Sequence, residues 1–503
     1  MKLKTLCLAT SAALLAACGG EAGNAPTFDS WQTGEVYYSF PYDGQQNLSP
    51  RTPLVMRFSH AVTVNSGNLE LLECAALDDD CTTGTTVTLD APVSLDGGMG
   101  VSVQPQQPLK TNTHYRLVIS GIETGNGQPV FPDGGLDFFT RLDADGPLSA
   151  QMAAPDLAVT QLVPDGDTLP FMDFSTLRLQ FNQILDASTL VYGDTDQGAS
   201  VELESEGTTV QASLLVKNNT VTIDPTDDLT PGKHYTLKLT PTVRGITQAP
   251  LAGGLERSWV AKNSQPRSTL VKEVVKASDN EVNPCADPDA LIAKLTGAAM
   301  NCVPVQSTLL GSKDATLQSG DVFAELAFLP NYPDVSPLRI GRNSLLTGSN
   351  IEVKIAGEVN AGIETGAISV TFLSDASGYL LPNPYSDAHE APKQVKLFMD
   401  VSMTAANPEA NGALSQTLMH VELNGMAVVK NGRMEIDAVG IVEPKVLGQE
   451  TAFGFLSFHM KSYEDQANAP QQLPDLTPPS LQSMMPVADG NGVAATARPG
   501  DPV

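Results

Sequence analysis

The sequence has few basic side chains for its length. Lysine and arginine number 29 against 57 aspartates and glutamates, so the 503-residue chain has a formal net charge of -28. Phosphate backbones are bound by clustered lysine and arginine, and this balance argues against nucleic acid as a partner. The acidity is typical of a solvated, secreted protein, with a calcium-binding surface as the alternative interpretation.

Long hydrophobic runs are missing beyond the first 17 residues. No later run approaches the roughly 18 apolar residues of a membrane-spanning helix, so the body of the chain is not predicted to cross a membrane. Hydrophobic residues still make up 41% of the sequence, which is enough for packed cores. The length exceeds one ordinary core, and we expect three or four domains.

The local signatures of common hydrolases are also missing from the sequence. No G-x-S-x-G motif occurs, and His389-Glu390 is followed by Ala-Pro-Lys, which does not complete an H-E-x-x-H zinc motif. The paired carboxylates of a glycoside hydrolase would leave no local motif. We therefore assign no catalytic residue and no cofactor, and expect a protein that is not an enzyme.

The first residues resemble an export signal. A short basic head is followed by an apolar stretch at residues 5–17, which predicts a signal peptide over residues 1–17. The sequence Leu-Ala-Ala-Cys that ends at Cys18 resembles the bacterial lipobox. This resemblance implies that Cys18 is acylated and becomes the first residue of the mature chain. An ordinary cleaved signal followed by an incidental cysteine is the alternative.

A lipid on Cys18 makes the membrane the first expected partner. Several acyl chains hold a protein to a bilayer almost permanently, whereas a single chain binds weakly. Residues 18–34 are predicted to be a flexible, lipidated linker. Gly19 stands where an inner-membrane retention signal has aspartate, so the expected location is the outer membrane of a bacterial cell envelope.

Four cysteines remain outside the signal region and fall in two close pairs. We expect local disulfides between Cys74 and Cys81 and between Cys285 and Cys302, as in proteins of oxidising compartments. Neither pair has the neighbouring ligands of a zinc site, so no metal site is assigned. Residues 287–297 begin with Asp-Pro and end with Gly, which predicts a short helix stapled by the second disulfide.

An internal repeat organises the first half of the chain. Residues 101–120 and 221–240 share their apolar, proline, histidine and tyrosine positions at one offset of 120 residues. Upstream, each copy has a proline and a phenylalanine seventeen residues apart, namely Pro41 with Phe58 and Pro164 with Phe181. Period-two alternation interrupted by frequent turn signals is typical of an antiparallel sandwich.

The repeated motifs resemble a known family. The second copy contains Leu-Thr-Pro-Gly-Lys-His-Tyr at residues 229–235, and each copy opens with a Pro-Asp-Gly type of turn. These features are similar to bacterial Ig-like domains of S-layer and other surface proteins. The resemblance implies Ig-like β-sandwiches at residues 35–142 and 156–262, and a tyrosine corner at Tyr115 and Tyr235. It implies no particular activity.

The histidine before each of these tyrosines is repeated as well. We interpret His114 and His234 as half-exposed strand residues inherited by duplication rather than as ligands. Residues 475–503 begin like a further copy, but Val503 occupies the position of the core phenylalanine. A sandwich cannot stop at its second strand without leaving an edge unpaired, which predicts a truncated third Ig-like domain. A tail that borrows a partner strand is the alternative.

Residues 268–470 match neither copy. Six alternating stretches predict antiparallel strands at 351–359, 366–373, 393–404, 416–429, 432–442 and 452–460. Asn-Gly pairs at 411–412, 424–425 and 431–432 predict hairpin turns. The predicted fold class is therefore all-β, with tandem Ig-like sandwiches followed by a larger antiparallel β-sandwich or barrel-like domain that carries the short helix.

One polar segment of this region is a candidate site. A sugar or calcium ion would suit a cluster of acidic, aromatic and amide side chains formed by Asp375, Asp387, Glu390, Asp400, Tyr379, Tyr385 and Asn383. A plain polar loop between two strands is the preferred interpretation. Structural calcium is also considered at residues 78–80 and 143–146, where solvated loops are preferred.

Together these features predict a cell-envelope lipoprotein. Its Ig-like modules would act as a spacer, an adhesion unit or a binding unit, with a protein or polysaccharide at the cell surface as ligand. The alternative is an envelope carbohydrate-binding protein or glycan-active enzyme with its site in residues 300–465 or in a further C-terminal part.

Overall fold

A computed structural model describes the chain from Val36 to Ser462 with internal gaps, together with Ala495 and Thr496. The described residues are 36–77, 80–123, 127, 129–131, 134–144, 156–274, 285, 293, 295–304, 307, 315–342, 344–355, 359–386, 391–430, 433–446, 450–462 and 495–496. Strands dominate this part of the chain, which confirms the predicted all-β class. No helix within it is both long and apolar enough to cross a membrane.

The first repeat folds into two packed sheets, which we call the first sandwich. Its strands are Val36–Phe40 (β1), Gln45–Leu48 (β2), Leu54–Phe58 (β3), Leu69–Cys74 (β4), Gly84–Val87 (β5), Val93–Leu95 (β6), Gly100–Val103 (β7), His114–Ile119 (β8) and Gly135–Thr140 (β9). One sheet has the order β1-β3-β7-β6 and the other β2-β9-β8-β4-β5. The β2–β9 pair is parallel, and the other pairs are antiparallel.

The second repeat forms the second sandwich. Its strands are Val159–Val163 (β10), Leu177–Phe181 (β11), Val201–Ser205 (β12), Thr208–Thr209 (β13), Ala212–Lys217 (β14), Thr220–Pro225 (β15), His234–Leu239 (β16) and Leu255–Val260 (β17). Its sheets have the orders β10-β11-β15-β14 and β13-β12-β16-β17. The repeated phenylalanines, Phe58 and Phe181, are 0% and 1% exposed, so each anchors the core of its own sandwich.

Both tyrosine corners are present. The Tyr115 hydroxyl accepts a hydrogen bond from the Lys110 backbone N–H at 2.8 Å, and the Tyr235 hydroxyl accepts one from Thr230 at 2.8 Å. In each copy the donating residue lies 5 residues before the tyrosine, so each bond joins the corner loop to β8 or β16 in the same way. The signal in the sequence and its structural cause therefore agree in both copies.

Both repeated histidines begin strands, as predicted, but they do not share the predicted half-exposure. His114 is 5% exposed, stacks on Phe139 at 4.4 Å between ring centroids, and lies with its Nε2 3.0 Å from Asp137. His234 is exposed. The copies differ because Asp137, which pairs with Arg116, is replaced by Ser258, which pairs with Thr236, so the second ring has no acidic partner at this position.

The third unit is a sheet that closes on itself, and we call it the closed sheet. Its strands are Ser268–Val274 (β18), Cys302–Pro304 (β19), Ala315–Leu326 (β20), Ser336–Ile340 (β21), Leu345–Gly348 (β22), Glu352–Ile355 (β23), Val359–Glu364 (β24), Ile368–Phe372 (β25), Ala376–Leu381 (β26), Lys393–Ala405 (β27), Gln416–Lys430 (β28), Arg433–Val442 (β29), Lys445–Val446 (β30), Glu450–Thr451 (β31) and Gly454–Ser462 (β32). The order is β18-β32-β29-β28-β27-β25-β22-β20, and β18 also pairs with β20. This last pairing closes the ring and confirms the barrel-like alternative.

The wall of the closed sheet forks at its two long strands. One end of β27 pairs with β26 and the other with β25, while β20 pairs with β21 and β22 along different parts of its length. The hairpins β23–β24 and β30–β31 lie off the ring. An α-helix, Pro408–Leu414 (α1), joins β27 to β28, and Ala495–Thr496 (β33) pairs with β14 of the second sandwich.

Two of the three predicted Asn-Gly turns were wrong. Asn411-Gly412 belongs to α1, and Asn424-Gly425 lies inside β28. A Cβ on Gly425 would meet the Asp437 carbonyl oxygen at 2.0 Å, so glycine is needed there for the close approach of β29. The third pair, at 431–432, lies outside the described residues, between Lys430 and Arg433, which pair with each other.

The cysteines form two local disulfides, Cys74–Cys81 and Cys285–Cys302, with Cα atoms 5.0 Å and 5.7 Å apart. The lipidation residue Cys18 lies outside the described residues. Most of the predicted helix at 287–297 and nearly all of the predicted third Ig-like domain at 475–503 lie outside them as well.

Candidate binding cleft

A cleft of about 770 Å³ lies where the two sandwiches meet the outer face of the closed sheet. Its walls come from all three units, so the cleft depends on how they are docked. Apolar side chains form much of the lining, among them Phe40, Leu48, Val163, Phe398, Leu418 and Ile441. The polar lining includes Arg178, Gln180, Asp400, His420 and Glu422.

Strand alternation places the polar residues of the closed sheet in one row. Asp400 of β27 pairs directly across the strands with His420 of β28, and Phe398 pairs with Glu422. The intervening residues, such as Val401 and Val421, belong to the inner core of the closed sheet. The row therefore faces outward, toward the sandwiches.

Asp400 is the centre of a buried polar group. It is 1% exposed, and its two oxygens lie 2.9 Å from Arg178 Nη2, 2.5 Å from His420 Nδ1 and 2.5 Å from the Ser374 hydroxyl. Thr222 of the second sandwich also donates to it, at 3.1 Å. Burial by itself raises the pKa of Asp400, but the Arg178 charge and the His420 contact hold this pKa well below its ordinary range.

Arg178 joins the second sandwich to the fork of the closed sheet. Its guanidinium donates to the Ser377 hydroxyl at 2.8 Å, the Ser374 hydroxyl at 3.0 Å and the Asp375 carbonyl at 2.8 Å, besides Asp400. Ser374 and Asp375 lie between β25 and β26, where these strands part along β27. The arginine thus satisfies polar groups that the fork exposes.

A second buried ionic group extends this contact. Asp224 of β15 lies 3.2 Å from Arg342 Nη1 and accepts a hydrogen bond from Thr176 at 2.8 Å. Arg342 also binds Asp375, whose Oδ1 accepts the Arg342 backbone N–H at 2.8 Å. Burial, together with the nearby Asp375 charge, raises the pKa of Asp224 to about 7 in spite of the arginines.

The first sandwich meets the closed sheet mainly through apolar side chains. Its core cluster includes Met426 and Val439 of the closed sheet, and the Phe40 ring lies 5.6 Å from Phe455. Polar contacts also lie at the cleft, where the Tyr42 hydroxyl donates to Glu422 at 3.0 Å, the Ser49 hydroxyl donates to Glu443 at 2.8 Å, and Arg141 forms a two-pronged ion pair with Glu443. This sandwich is therefore held chiefly by shared core.

The polar segment of the closed sheet is not the loop that the sequence predicted. Residues 376–381 are strand β26, and Tyr379 is 2% exposed beside Val163 and Phe398. Asn383 donates to the carbonyls of Tyr37 and Pro392 at 3.1 Å each, and Tyr385 bonds with Ser39 at 2.5 Å.

The acidic members of this segment do not form an open sugar site. Asp375 and Asp400 are 8% and 1% exposed and bind arginines, while Asp387 and Glu390 lie outside the described residues. The segment therefore docks the two sandwiches. Among the described residues, no three His, Cys, Asp or Glu side chains are grouped so as to hold a metal ion. Parts of 78–80 and 143–146 fall outside those residues.

Arg178, Asp224 and His420 were not predicted from the sequence. A signal was available for the first two in the repeat itself. At the same repeat offsets the first copy has Val55 in place of Arg178 and Gln104 in place of Asp224, so charge appears in one copy alone. His420 carries no comparable signal, because its partner Asp400 is distant in sequence.

Comparison with known families agrees with the repeat. Residues 33–140 and 153–260 match the model of the bacterial Ig-like domain. The chain therefore contains two bacterial Ig-like domains in tandem, as the resemblance implied.

The relationship to one named protein extends beyond these domains. Over 99% of its length the chain is 35% identical to alkane uptake protein B of Marinobacter nauticus. The aligned region is 48% of that protein, so this chain spans about half the length of the relative.

Solved structures add less. The N-terminal part of the bacterial S-layer protein SbsC aligns with 47% of this chain and 45% of its own, at 14% identity and a TM-score of 0.18. A longer SbsC structure covers 86% of this chain and 63% of its own, at 10% identity and a TM-score of 0.17. Similarity this low carries no argument about the arrangement or role of the three units.

Proposed function

We propose that this chain is a cell-envelope protein that binds alkanes in the cleft between its three units. The main support is the 35% identity to alkane uptake protein B along nearly the entire chain. That identity covers the closed sheet as well as both Ig-like domains, so it reaches every wall of the cleft.

The cleft suits an aliphatic chain in size, and part of its lining is apolar. Small-molecule sites commonly occupy roughly 300–1,000 Å³, and this cleft holds about 770 Å³. Phe40, Val163, Phe398, Leu418 and Ile441 come from all three units. An alkane is bound by removing apolar surface from water, and such walls supply that without needing a specific polar partner.

The lipid on Cys18 and the linker at 18–34 belong to the same proposal. A tether of this kind holds the cleft near a membrane, where poorly soluble hydrocarbons are concentrated. Tight docking of the sandwiches favours this function over that of a flexible spacer, because buried contacts join each sandwich to the closed sheet.

Hydrocarbon partitioning tests alkane binding. The chain from Gly19 onward, prepared without lipid or detergent, is equilibrated with radiolabelled hexadecane, and the protein-bound label is counted. Glutamates introduced together at Ile246 and Ile441, which line the cleft, are expected to reduce binding at least tenfold. Val191→Glu, at an exposed site of the second sandwich outside the cleft lining, is the matched control and should bind normally.

Equal loss in the control and cleft variants, or no saturable binding by the unmodified chain, would contradict the proposal. The tether is tested separately with the full chain expressed in a Gram-negative host. Cys18→Ser is expected to move the protein out of the washed membrane fraction.

A further inference from the structure

A lysine, an asparagine and a glutamate lie together on the outer face of the closed sheet, where the first sandwich docks. Lys396 of β27 pairs directly with Asn424 of β28. Glu422 lies two residues before Asn424, on the same face of β28. Tyr42 of the first sandwich covers the group, with Lys396 Nζ 3.8 Å from its ring centroid and its hydroxyl donating to Glu422 at 3.0 Å.

The surroundings of Lys396 favour a neutral amine. Among the described residues its ammonium forms no ion pair and is stacked on the ring of Tyr42 instead. Burial lowers the pKa of Lys396, although the nearby Glu422 charge raises it. A lysine amine is a nucleophile only after it has lost its proton, so this environment increases the reactive fraction.

The amide of Asn424 is enclosed, and one of its atoms lacks a partner. The residue is 0% exposed, and its Nδ2 has no hydrogen-bond partner among the described residues. Its Oδ1 accepts a long bond from Gln394 Nε2, at 3.4 Å. A buried amide nitrogen without a partner destabilises the fold, and a reaction that expels this nitrogen removes the penalty.

Glu422 can transfer the protons that such a reaction moves. Burial raises the pKa of Glu422, although the Lys396 charge lowers it, so more of this carboxyl is protonated at a given pH. The Tyr42 hydroxyl occupies Oε1, which leaves Oε2 to hold the proton. Replacement of an amide nitrogen needs an acid of this kind, because the departing group leaves as ammonia.

We propose that Lys396 and Asn424 join in an isopeptide bond that the folded chain forms by itself. Nζ of neutral Lys396 attacks Cγ of Asn424, a new C–N bond forms, and the bond from Cγ to Nδ2 breaks. Glu422 gives its proton to the departing nitrogen and takes one from Nζ, so the products are one secondary amide and one ammonia. Directly opposed side chains of an antiparallel pair have Cβ atoms roughly 4.5–5.5 Å apart, a gap that the flexible stem of lysine spans.

Intact mass spectrometry of the chain from Gly19 onward tests the bond, which does not depend on the proposed alkane binding. We expect a mass lower by one ammonia than the sequence with its two disulfides requires. Digestion after glutamate should then yield a branched peptide that joins residues 391–409 to 423–435. An unchanged mass would overturn the proposal. An ammonia loss confined to the linear peptide 423–435, as from a succinimide of Asn424 with Gly425, would overturn it as well.

Substitution of either bonding residue should restore the full mass. Lys396→Arg and Asn424→Ala are each expected to have the mass that their sequences require and to give no branched peptide. Lys396→Arg retains a cation for the Tyr42 ring, so it guards against misfolding as the cause.

The role of Glu422 is tested by rate. Glu422→Gln should slow formation of the bond at least about a hundredfold, the contribution typical of a group that transfers protons. Lys393→Arg is the matched control, because Lys393 lies on the same strand opposite Ala427, and it should keep the loss of ammonia. The branched peptide in Lys396→Arg, or bond formation at an unchanged rate in Glu422→Gln, would overturn the proposed reaction.

Discussion

The two Ig-like domains have one fold but dock onto the closed sheet with different shares of apolar and ionic contact. The first shares an apolar core with it through Met426 and Val439, whereas the second inserts Arg178 into a buried ionic group around Asp400. The difference comes down to equivalent strand positions, since Val55 of the first copy aligns with Arg178 of the second. A duplicated module has thus acquired two kinds of interface through side chains that leave its own core unchanged.

These two kinds of docking have different physical consequences. An apolar interface does not depend on the exact direction of each contact, and every buried methylene adds to its stability. A buried ionic interface requires all its partners at once, because removing one leaves a charge without compensation. We therefore expect the second interface to be the more fragile to single substitutions and the more specific in geometry.

The largest loss of stability is expected when Arg178 is replaced by valine, the residue at the equivalent position of the first copy. Arg178→Val leaves the Asp400 carboxylate, 1% exposed, without its cationic partner. A cost of about 3–5 kcal/mol in the free energy of unfolding is expected, as for other broken buried pairs, and urea denaturation measures it. Adding Asp400→Leu should recover part of this loss. A single-variant cost below about 1 kcal/mol, within the range of surface pairs, would contradict the ionic description.

A somewhat smaller effect is expected at the apolar interface. Met426→Ala removes a side chain that is 6% exposed within the core shared with the first domain. Such truncations cost about 2–5 kcal/mol, and we expect about 3 kcal/mol by the same measurement. Val93→Ala, at a position 60% exposed on the same sandwich, is the control and should change stability by less than about 0.5 kcal/mol. An equal change in the free energy of unfolding for Met426→Ala and Val93→Ala would mean that the shared core contributes little.

The second interface should make the stability of the chain depend on pH through Asp224. The pKa of Asp224 is about 7 in the folded chain against an ordinary value of 3.8. A carboxyl with a raised pKa stabilises the fold fully below the ordinary value, and this contribution is lost as the pH rises from about 4 to about 7. The slope approaches 1.4 kcal/mol per pH unit for one proton.

Asp224→Asn should remove this component. Its effect appears as the difference between the unfolding free energies of the two proteins at several pH values. Since Gln104 occupies the equivalent position in the first copy, Gln104→Leu should leave the pH profile unchanged. Parallel profiles for wild type and Asp224→Asn would refute the raised pKa.

The smallest effects should be equal in the two copies. Tyr115→Phe and Tyr235→Phe each remove one hydrogen bond to a backbone N–H, at 2.8 Å in both cases. About 1 kcal/mol is expected for each, measured by urea denaturation. A clear difference between the two would show that the domains diverge within their cores and not only at their docking faces.

Local signals in the sequence predicted most of the fold. The corner tyrosines, the core phenylalanines and most of the period-two stretches act through near neighbours, and the structure agrees with them. The exception is the stretch at 351–359, which was predicted as one strand but runs from β23 into its hairpin partner β24. Asn424-Gly425 misled because a tight turn and a close strand approach both require glycine. The segment around Asp375 misled because polar residues are typical of loops, and the arginines that justify their burial lie elsewhere in the chain.

The cleft was beyond such reasoning for the same cause. Arg178 lies on a different unit from Asp400 and His420 and reaches them through docking, whereas Asp400 and His420 meet by pairing of β27 with β28. Only the comparison of the two copies, which exposes Arg178 as an arginine in place of a valine, carried a hint of it.

The seam of the closed sheet has a consequence for biosynthesis. Ser268–Val274 directly follows the second Ig-like domain in the chain, yet it pairs with Gly454–Ser462 as well as with β20. Domains generally fold as units, and contacts between distant segments form slowly. Both Ig-like domains can thus fold while this first strand still lacks its last neighbour, which leaves an interval in which a chaperone would have most to protect.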